Sequence, residues 1–237
     1  MKQVKSAILL AAGLGTRLRP LTDTMPKCLV PINQKPLLII WIEQLQAVGI
    51  ERIFVNTHYF ADAVVDTLIQ YKQLDNIILI HEEKLLGTAG TVKHITQNYI
   101  FDDGSVLVAH ADNVCICDWK AFFEFHQCSD KDVSLMAFET DKPSLCGILE
   151  CDEYYNLLAF HEKKENPPGN LANAAIYLFS DLAGFFNLDT ELFDISLDVI
   201  PNILPKIKVW VTNGYLRDIG SLESYQQALR DCITYKV

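Results

Sequence analysis

The stretch Ser6 to Pro31, SAILLAAGLGTRLRPLTDTMPKCLVP, constrains this chain more than any other part of it. Ser6 to Ala12 is a short apolar run of the kind buried on both faces of a parallel sheet, and it stops at Gly13-Leu14-Gly15-Thr16-Arg17. Two glycines let main-chain N–H groups turn toward a ligand with no Cβ in the way, a nest suited to phosphate oxygens. Arg17, Arg19 and Lys27 then place three cations within eleven residues of a chain whose net charge is −10. That combination points to a polyphosphate. Two common phosphate-binding loops are disfavoured. Leu18 stands where the dinucleotide fingerprint needs a third small residue, and no G-x-x-x-x-G-K-[ST] is present.

Beyond this loop, strand-like and helical segments alternate. Pro36 to Val48 carries apolar residues at 38, 41, 42, 45 and 48, which is helical spacing, and Gly49 suits its end. Arg52 to Asn56 reads as a strand, Ala61 to Tyr71 as a helix and Asn76 to His81 as a strand. This order calls for an α/β fold with parallel strands, right-handed crossovers, and ligands at the carboxyl ends of the strands. Glu82 to Thr91, EEKLLGTAGT, falls at such an end and leads into a helix expected from Gly90 to Asn98. Its small residues admit close approach by a ligand, or else cap and pack that helix. Ser105 to Ala109 is a further buried strand, which delivers Asp112 to the same crevice. His110 beside it either touches a ligand or packs.

From Asp118 the pattern changes. A helix over 118–126, strands over 133–138, 146–150 and 157–161, and turns over 152–156 and 166–170 predict mixed or antiparallel pairing in a smaller lobe. Phe193 to Leu204 has helical spacing and Lys208 to Asn213 reads as a strand. Gly214 to Gly220 reads as a loop, and Leu222 to Arg230 as a helix with Ser221 at its N-cap.

Half of the 237 residues are apolar and 21% are charged, as in soluble globular proteins. The acidic balance argues against a general nucleic-acid binder, and no apolar run approaches a membrane span. No signal-peptide pattern precedes Ser6, so a cytoplasmic protein that binds neither nucleic acid nor membrane is expected. Seven cysteines without C-x-x-C spacing read as reduced thiols.

The loop as a whole, G-x-G-T-R-x-x-P-L-T followed by P-K and V-P, closely resembles the signature of the sugar-1-phosphate nucleotidyltransferases, or nucleotide-sugar pyrophosphorylases. The short members similar to mannose-1-phosphate guanylyltransferases, without a hexapeptide-repeat domain, are the nearest in look. The resemblance implies one domain over 1–237, with a Rossmann-like, mostly parallel mixed sheet flanked by helices. A nucleotide-binding part would cover 1–117, and a sugar-binding lobe with a second metal aspartate 118–237. It also implies that the nucleotide is held by Leu10, Ala11, Ala12, Gly13, Gly15 and Thr16, together with Glu82 and the segment Gly87, Thr88, Ala89 and Gly90. Arg17 and Lys27 would act on the triphosphate.

Asp112, and Asp218 in R-D-I-G, match the family's aspartates for Mg²⁺; the alternative is that each caps a neighbouring helix. Phe160-His161-Glu162-Lys163-Lys164 and Asn173-Ala174-Ala175-Ile176-Tyr177 resemble the family's F-x-E-K-P and N-A-G-I-Y, departing from them at Lys164 and Ala175. By position, Glu162 and Asn173 would bond sugar hydroxyls and Lys163 the sugar phosphate, with Asn113 and Gly147 beside the sugar. The implied reaction joins a nucleoside triphosphate to a sugar 1-phosphate and releases pyrophosphate, in the supply of cell-surface polysaccharide precursors. GTP with a mannose-type or heptose 1-phosphate is the first expectation, and UTP, CTP or dTTP follow. A cytidylyltransferase for a non-sugar phosphate or phosphonate, and a non-catalytic regulatory subunit, are the alternatives. A monomer or homodimer is expected.

Overall fold

Short apolar runs become strands and the amphipathic segments between them become helices. The computed structural model describes residues 3–101, 104–187 and 190–235. Its first half holds β1 (Val4–Leu10), β2 (Pro31–Ile32), β3 (Lys35–Pro36), α1 (Leu37–Ala47), β4 (Arg52–Thr57), α2 (Ala61–Gln70), β5 (Ile77–His81), α3 (Gly87–Asn98), β6 (Ser105–His110) and β7 (Asn113–Ile116). The second half holds α4 (Trp119–Cys128), β8 (Val133–Glu139), β9 (Gly147–Cys151), β10 (Leu157–Glu162), β11 (Leu171–Phe179), α5 (Leu182–Phe186), β12 (Ile207–Val211), β13 (Tyr215–Asp218) and α6 (Leu222–Tyr235).

The chain forms two compact units. The first comprises Ser6–Leu85, Ala109–Cys117 and Gly214–Val237, and the second Met1–Lys5, Leu86–Val108 and Asp118–Asn213. One boundary between the units falls between Cys117 and Asp118. The C-terminal segment with Asp218 groups with the N-terminal part, and the segment from Leu86 to Val108 groups with residues 118–213.

In the first unit β1, β4 and β5 run parallel, with Ala7 opposite Ile53, Leu9 opposite Val55 and Thr57 opposite His81. Ala7, Ile8, Leu9, Ile53, Phe54 and Val55 have no solvent exposure, as strands covered on both faces require. Helix α1 buries all of Leu37 to Ile42 and Leu45, and turns Glu43, Gln44 and Gln46 away from that core. The second unit is mixed. β11 pairs antiparallel with β8 and β9, β10 pairs antiparallel with β9, and β12 runs parallel to β8.

Three expectations are corrected. Helix α3 starts at Gly87, a turn before Gly90. Residues 193–204 form no single helix; a π turn over Ile195–Val199 passes into 3-10 turns over Ile200–Asn202 and Leu204–Lys206. Pro201 and Pro205 each lack the N–H that a continuing helix would need. Tyr215 to Asp218 is a strand rather than a loop, antiparallel to β7. Among the described residues, no helix is long and apolar enough to cross a membrane, and the seven cysteines are free.

The second unit also contains a buried histidine. His126 on α4 is 4% exposed, and its ring nitrogens meet Ser134 Oγ at 2.8 Å and Ser105 Oγ at 3.1 Å. Burial lowers its pKa from 6.5 to about 4, against a smaller opposing pull from Asp132. The folded protein thus binds fewer protons here than the unfolded chain. Stability is complete above pH 6.5 and is lost as pH falls toward 4, by on the order of 3 kcal/mol. Urea unfolding at pH 7 and pH 4.5 should show this loss in the native protein and a shallower one in His126→Gln. Equal acid slopes in the two would contradict the assignment.

Candidate active site

The site in the first unit starts where β1 ends. After Leu10 the chain leaves the sheet, and Gly15 takes a left-handed conformation at φ 61°. A Cβ there would lie 2.9 Å from Thr22 Cγ2 and 3.0 Å from Lys27 Cβ, so only glycine lets the loop close on Lys27. Thr22 Oγ1 donates to the Gly15 carbonyl at 2.8 Å and fixes the closure. Lys27 opens a 3-10 turn whose three residues, Lys27, Cys28 and Leu29, are all buried. The lysine backbone is thereby pinned beneath the glycine loop.

The loop roofs a cavity of about 340 Å³ lined by Gly13, Gly15, Arg17, Lys27, Asp112 and Gly220, among others. β6 ends at His110, and the Ala111 N–H donates to the Leu10 carbonyl at 3.1 Å, tying this segment to the end of β1. β7 follows at once and is held by α1. Trp41 Nε1 donates to the Asn113 carbonyl at 2.9 Å, and Gln44 Nε2 to the Cys115 carbonyl at 3.1 Å. β13 then pairs with β7 in a register that sets Asp218 opposite Asn113, which brings Asp218 to Asp112 from far along the chain.

Lys27 Nζ lies 2.8 Å from Asp112 Oδ2 and 3.1 Å from Asp218 Oδ1. The two carboxylate oxygens are therefore no further apart than the sum of those distances. The lysine side chain is 5% exposed, against 35% for Asp112 and 57% for Asp218, so a buried ammonium faces two solvent-reachable carboxylates. Burial pushes the Asp112 carboxyl up, but the Lys27 ammonium and His110 together outweigh it and hold the group below the usual carboxylate range. A Cβ on Gly220 would meet Asp218 Oδ2 at 2.8 Å and Arg17 Nη2 at 2.9 Å, so a side chain at this wall would push both from their places. The helix-cap alternative for Asp218 is met by a neighbour. Ser221 Oγ accepts the Ser224 N–H at 3.2 Å, while the Asp218 side chain faces Lys27.

One participant escaped the sequence reading. Asn56, 5% exposed at the end of β4, accepts the Ala11 N–H at 2.6 Å and donates to Glu82 Oε1 at 2.9 Å. It ties the backbone of the first loop to Glu82, whose own N–H donates to the Thr57 carbonyl at 2.9 Å. The available signal was a polar residue closing the apolar run R-I-F-V-N at a carboxyl strand end.

The second unit holds the other expected residues. Gly87, Thr88, Ala89 and Gly90 form the first turn of α3, under the chain of Leu192 to Ile195. A Cβ on Gly87 would lie 2.3 Å from the Phe193 carbonyl, and one on Gly90 3.1 Å from that of Leu192. Thr88 Oγ1 accepts the Ile195 N–H at 2.9 Å, and the Ala89 N–H donates to the Phe193 carbonyl at 3.0 Å. Close chain packing thus accounts for the glycines at 87 and 90.

Glu162 ends β10 opposite Gly147, and a Cβ on Gly147 would sit 2.7 Å from Glu162 Oε2. Lys163 Nζ reaches Glu162 Oε1 at 3.1 Å. Asn173 donates to the Tyr177 hydroxyl at 2.8 Å and accepts the Ala175 N–H at 2.8 Å across a bulge in β11. Ala175 sits there at φ 56°, where the glycine of the resembled motif would be unstrained. Burial raises the Tyr177 hydroxyl to about 12, so it stays a neutral partner for Asn173.

Arg17 and Lys27 under a glycine loop, with two carboxylates beside them and parallel strands ending there, define an α/β protein with a charged cavity at its strand ends. Residues 6–234 match the nucleotidyl transferase family, and the chain belongs to it. A Sulfolobus acidocaldarius protein provisionally named a mannose-1-phosphate guanyltransferase is 34% identical over 234 residues, which are 98% of this chain and 64% of that one. This chain therefore spans less than two thirds of that relative. The crystal structure of HddC from Yersinia pseudotuberculosis is 30% identical at a TM-score of 0.82, covering 96% of this chain and 99% of HddC. A second HddC structure is a complex with GMP-PN. A UDP-glucose pyrophosphorylase complexed with UDP-glucose has a TM-score of 0.82 at 20% identity and shares the fold.

Proposed function

We propose that this chain transfers a nucleoside monophosphate from a nucleoside triphosphate to a sugar 1-phosphate, releasing pyrophosphate. The observation that carries this reading is Lys27 closed beneath the glycine loop with Asp112 and Asp218 on its ammonium. The acceptor phosphate is already anionic, so the reaction asks little acid or base chemistry of the protein. It needs alignment and neutralisation of charge. Lys27 and Arg17 serve the triphosphate and the charge that moves onto pyrophosphate, and the loop Gly13 to Thr16 offers main-chain donors. Glu162 and Asn173 orient the sugar, and Lys163 its phosphate.

A divalent metal fits the donor set. Asp112 and Asp218 give two hard oxygen ligands, and among the described residues no larger group of acidic, histidine or cysteine side chains could hold a metal. Mg²⁺ suits such a place because it keeps waters and takes its remaining ligands from substrate phosphates. Held there, it would supply Lewis-acid polarisation of the phosphates.

The GMP-PN complex of HddC and the guanyltransferase name of the Sulfolobus relative support GTP as donor, with a mannose-type or heptose 1-phosphate as acceptor. Pyrophosphate release can be measured for GTP, UTP, CTP and dTTP against a panel of sugar 1-phosphates with Mg²⁺. GTP is expected to give the highest turnover. Faster turnover with a pyrimidine triphosphate overturns the base assignment, and no release with any pair overturns the reaction.

A further inference from the structure

We propose that Lys27 is the resident cation of the metal site: its ammonium bridges Asp112 and Asp218 until a divalent metal displaces it, and displacement is what frees Lys27 for the phosphates. The inference rests on the reading of Asp112 and Asp218 as metal ligands. Lys27 Nζ touches both carboxylates, at 2.8 and 3.1 Å, with its side chain 5% exposed. Two of the ammonium's three donors are committed to the aspartates, which leaves at most one for an incoming triphosphate until the carboxylates let go.

Charge arithmetic explains why the arrangement is useful. Lys27, Asp112 and Asp218 sum to one net negative charge, in a chain already at −10. Even with Arg17 in the same cavity the four groups sum to no net charge, so a triphosphate arriving without metal gains little net attraction. A divalent cation turns the same group net positive and competes with the ammonium for the carboxylates, as two cations on shared ligands must. The released lysine has little room to stray. Its backbone is fixed in the buried 3-10 turn and its Cβ lies against the Gly15 position, so the freed ammonium stays under the loop. Metal and nucleotide thereby help each other to bind, since each favours the state in which Lys27 has left the carboxylates.

The test is Mn²⁺ binding to the full chain without nucleotide, followed by calorimetry and by the electron paramagnetic resonance of free Mn²⁺. Lys27→Met should bind Mn²⁺ on the order of 10-fold more tightly than the native protein, because the competing cation is gone. Lys27→Gln, whose amide can still donate to one carboxylate, replaces it if the methionine variant does not fold. Arg17→Met removes another cation from the same cavity and should tighten binding much less. If Lys27→Met or Lys27→Gln binds Mn²⁺ no more tightly than native, or if Arg17→Met gains as much, displacement is wrong. Asp218→Asn separates the two readings. Native-like Mn²⁺ affinity in it removes the metal site itself, and the proposal with it. Weakened affinity leaves the metal site standing whatever the lysine variants show.

Discussion

Lys27→Ala is expected to lower kcat for nucleotidyl transfer by on the order of 10²- to 10³-fold, the cost of losing one preorganised donor at developing charge. KM for the triphosphate should change less, because Arg17 and the loop remain. The loss reaches stability as well. A lysine on a solvent-facing loop would be deleted at no thermal cost, but Lys27 is 4% exposed and is the counter-ion of two carboxylates. Since both carboxylates keep contact with water, the penalty is modest, and Tm should fall by roughly 2–4 °C for a chain of this size. Steady-state kinetics and a melting curve on the same preparation check both parts. A near-normal kcat removes Lys27 from the reacting charge, and an unchanged Tm removes the counter-ion role.

The first half of the fold was legible because its signals are local. A short apolar run such as Ser6 to Ala12, closed by glycines, suits a covered strand, which is found two residues earlier as Val4–Leu10, and Pro36 to Val48 carries apolar residues at helical spacing. Lys27 stood out in sequence through Pro26 and the glycines before it. Its position on two aspartates did not, because that depends on the ribbon of β7 and β13. Each strand of the ribbon has four residues, too few to show a period of two, and β7 is held in place by bonds from Trp41 and Gln44 on α1. The glycines of the L-G-T-A-G segment mark a different limit. Sequence says that something approaches Gly87 closely. That the approaching atom is the Phe193 carbonyl is tertiary information.

Asp112→Asn and Asp218→Asn should each reduce Mg²⁺-dependent turnover by on the order of 10³-fold, several kcal/mol at about 1.4 kcal/mol per decade. An amide keeps the size and one acceptor oxygen of the carboxylate but removes the charge that holds a hard cation. The β7–β13 register and Lys27 place both side chains on one point, so they act as a unit, and the double variant should be scarcely slower than the worse single one. Stability distinguishes this from a capping role. Ser221, not Asp218, accepts the N–H at the start of α6, so Asp218→Asn should leave Tm within a degree or two, whereas a lost N-cap costs about 1 kcal/mol. The variants also differ from each other. Asp112 is the more buried of the two and lies closer to Lys27, so its replacement leaves the ammonium with only an exposed partner and should lower Tm more than Asp218→Asn does. Turnover losses that multiply in the double variant would show two separate roles for the carboxylates, and near-native turnover in either single variant would remove that aspartate from metal binding.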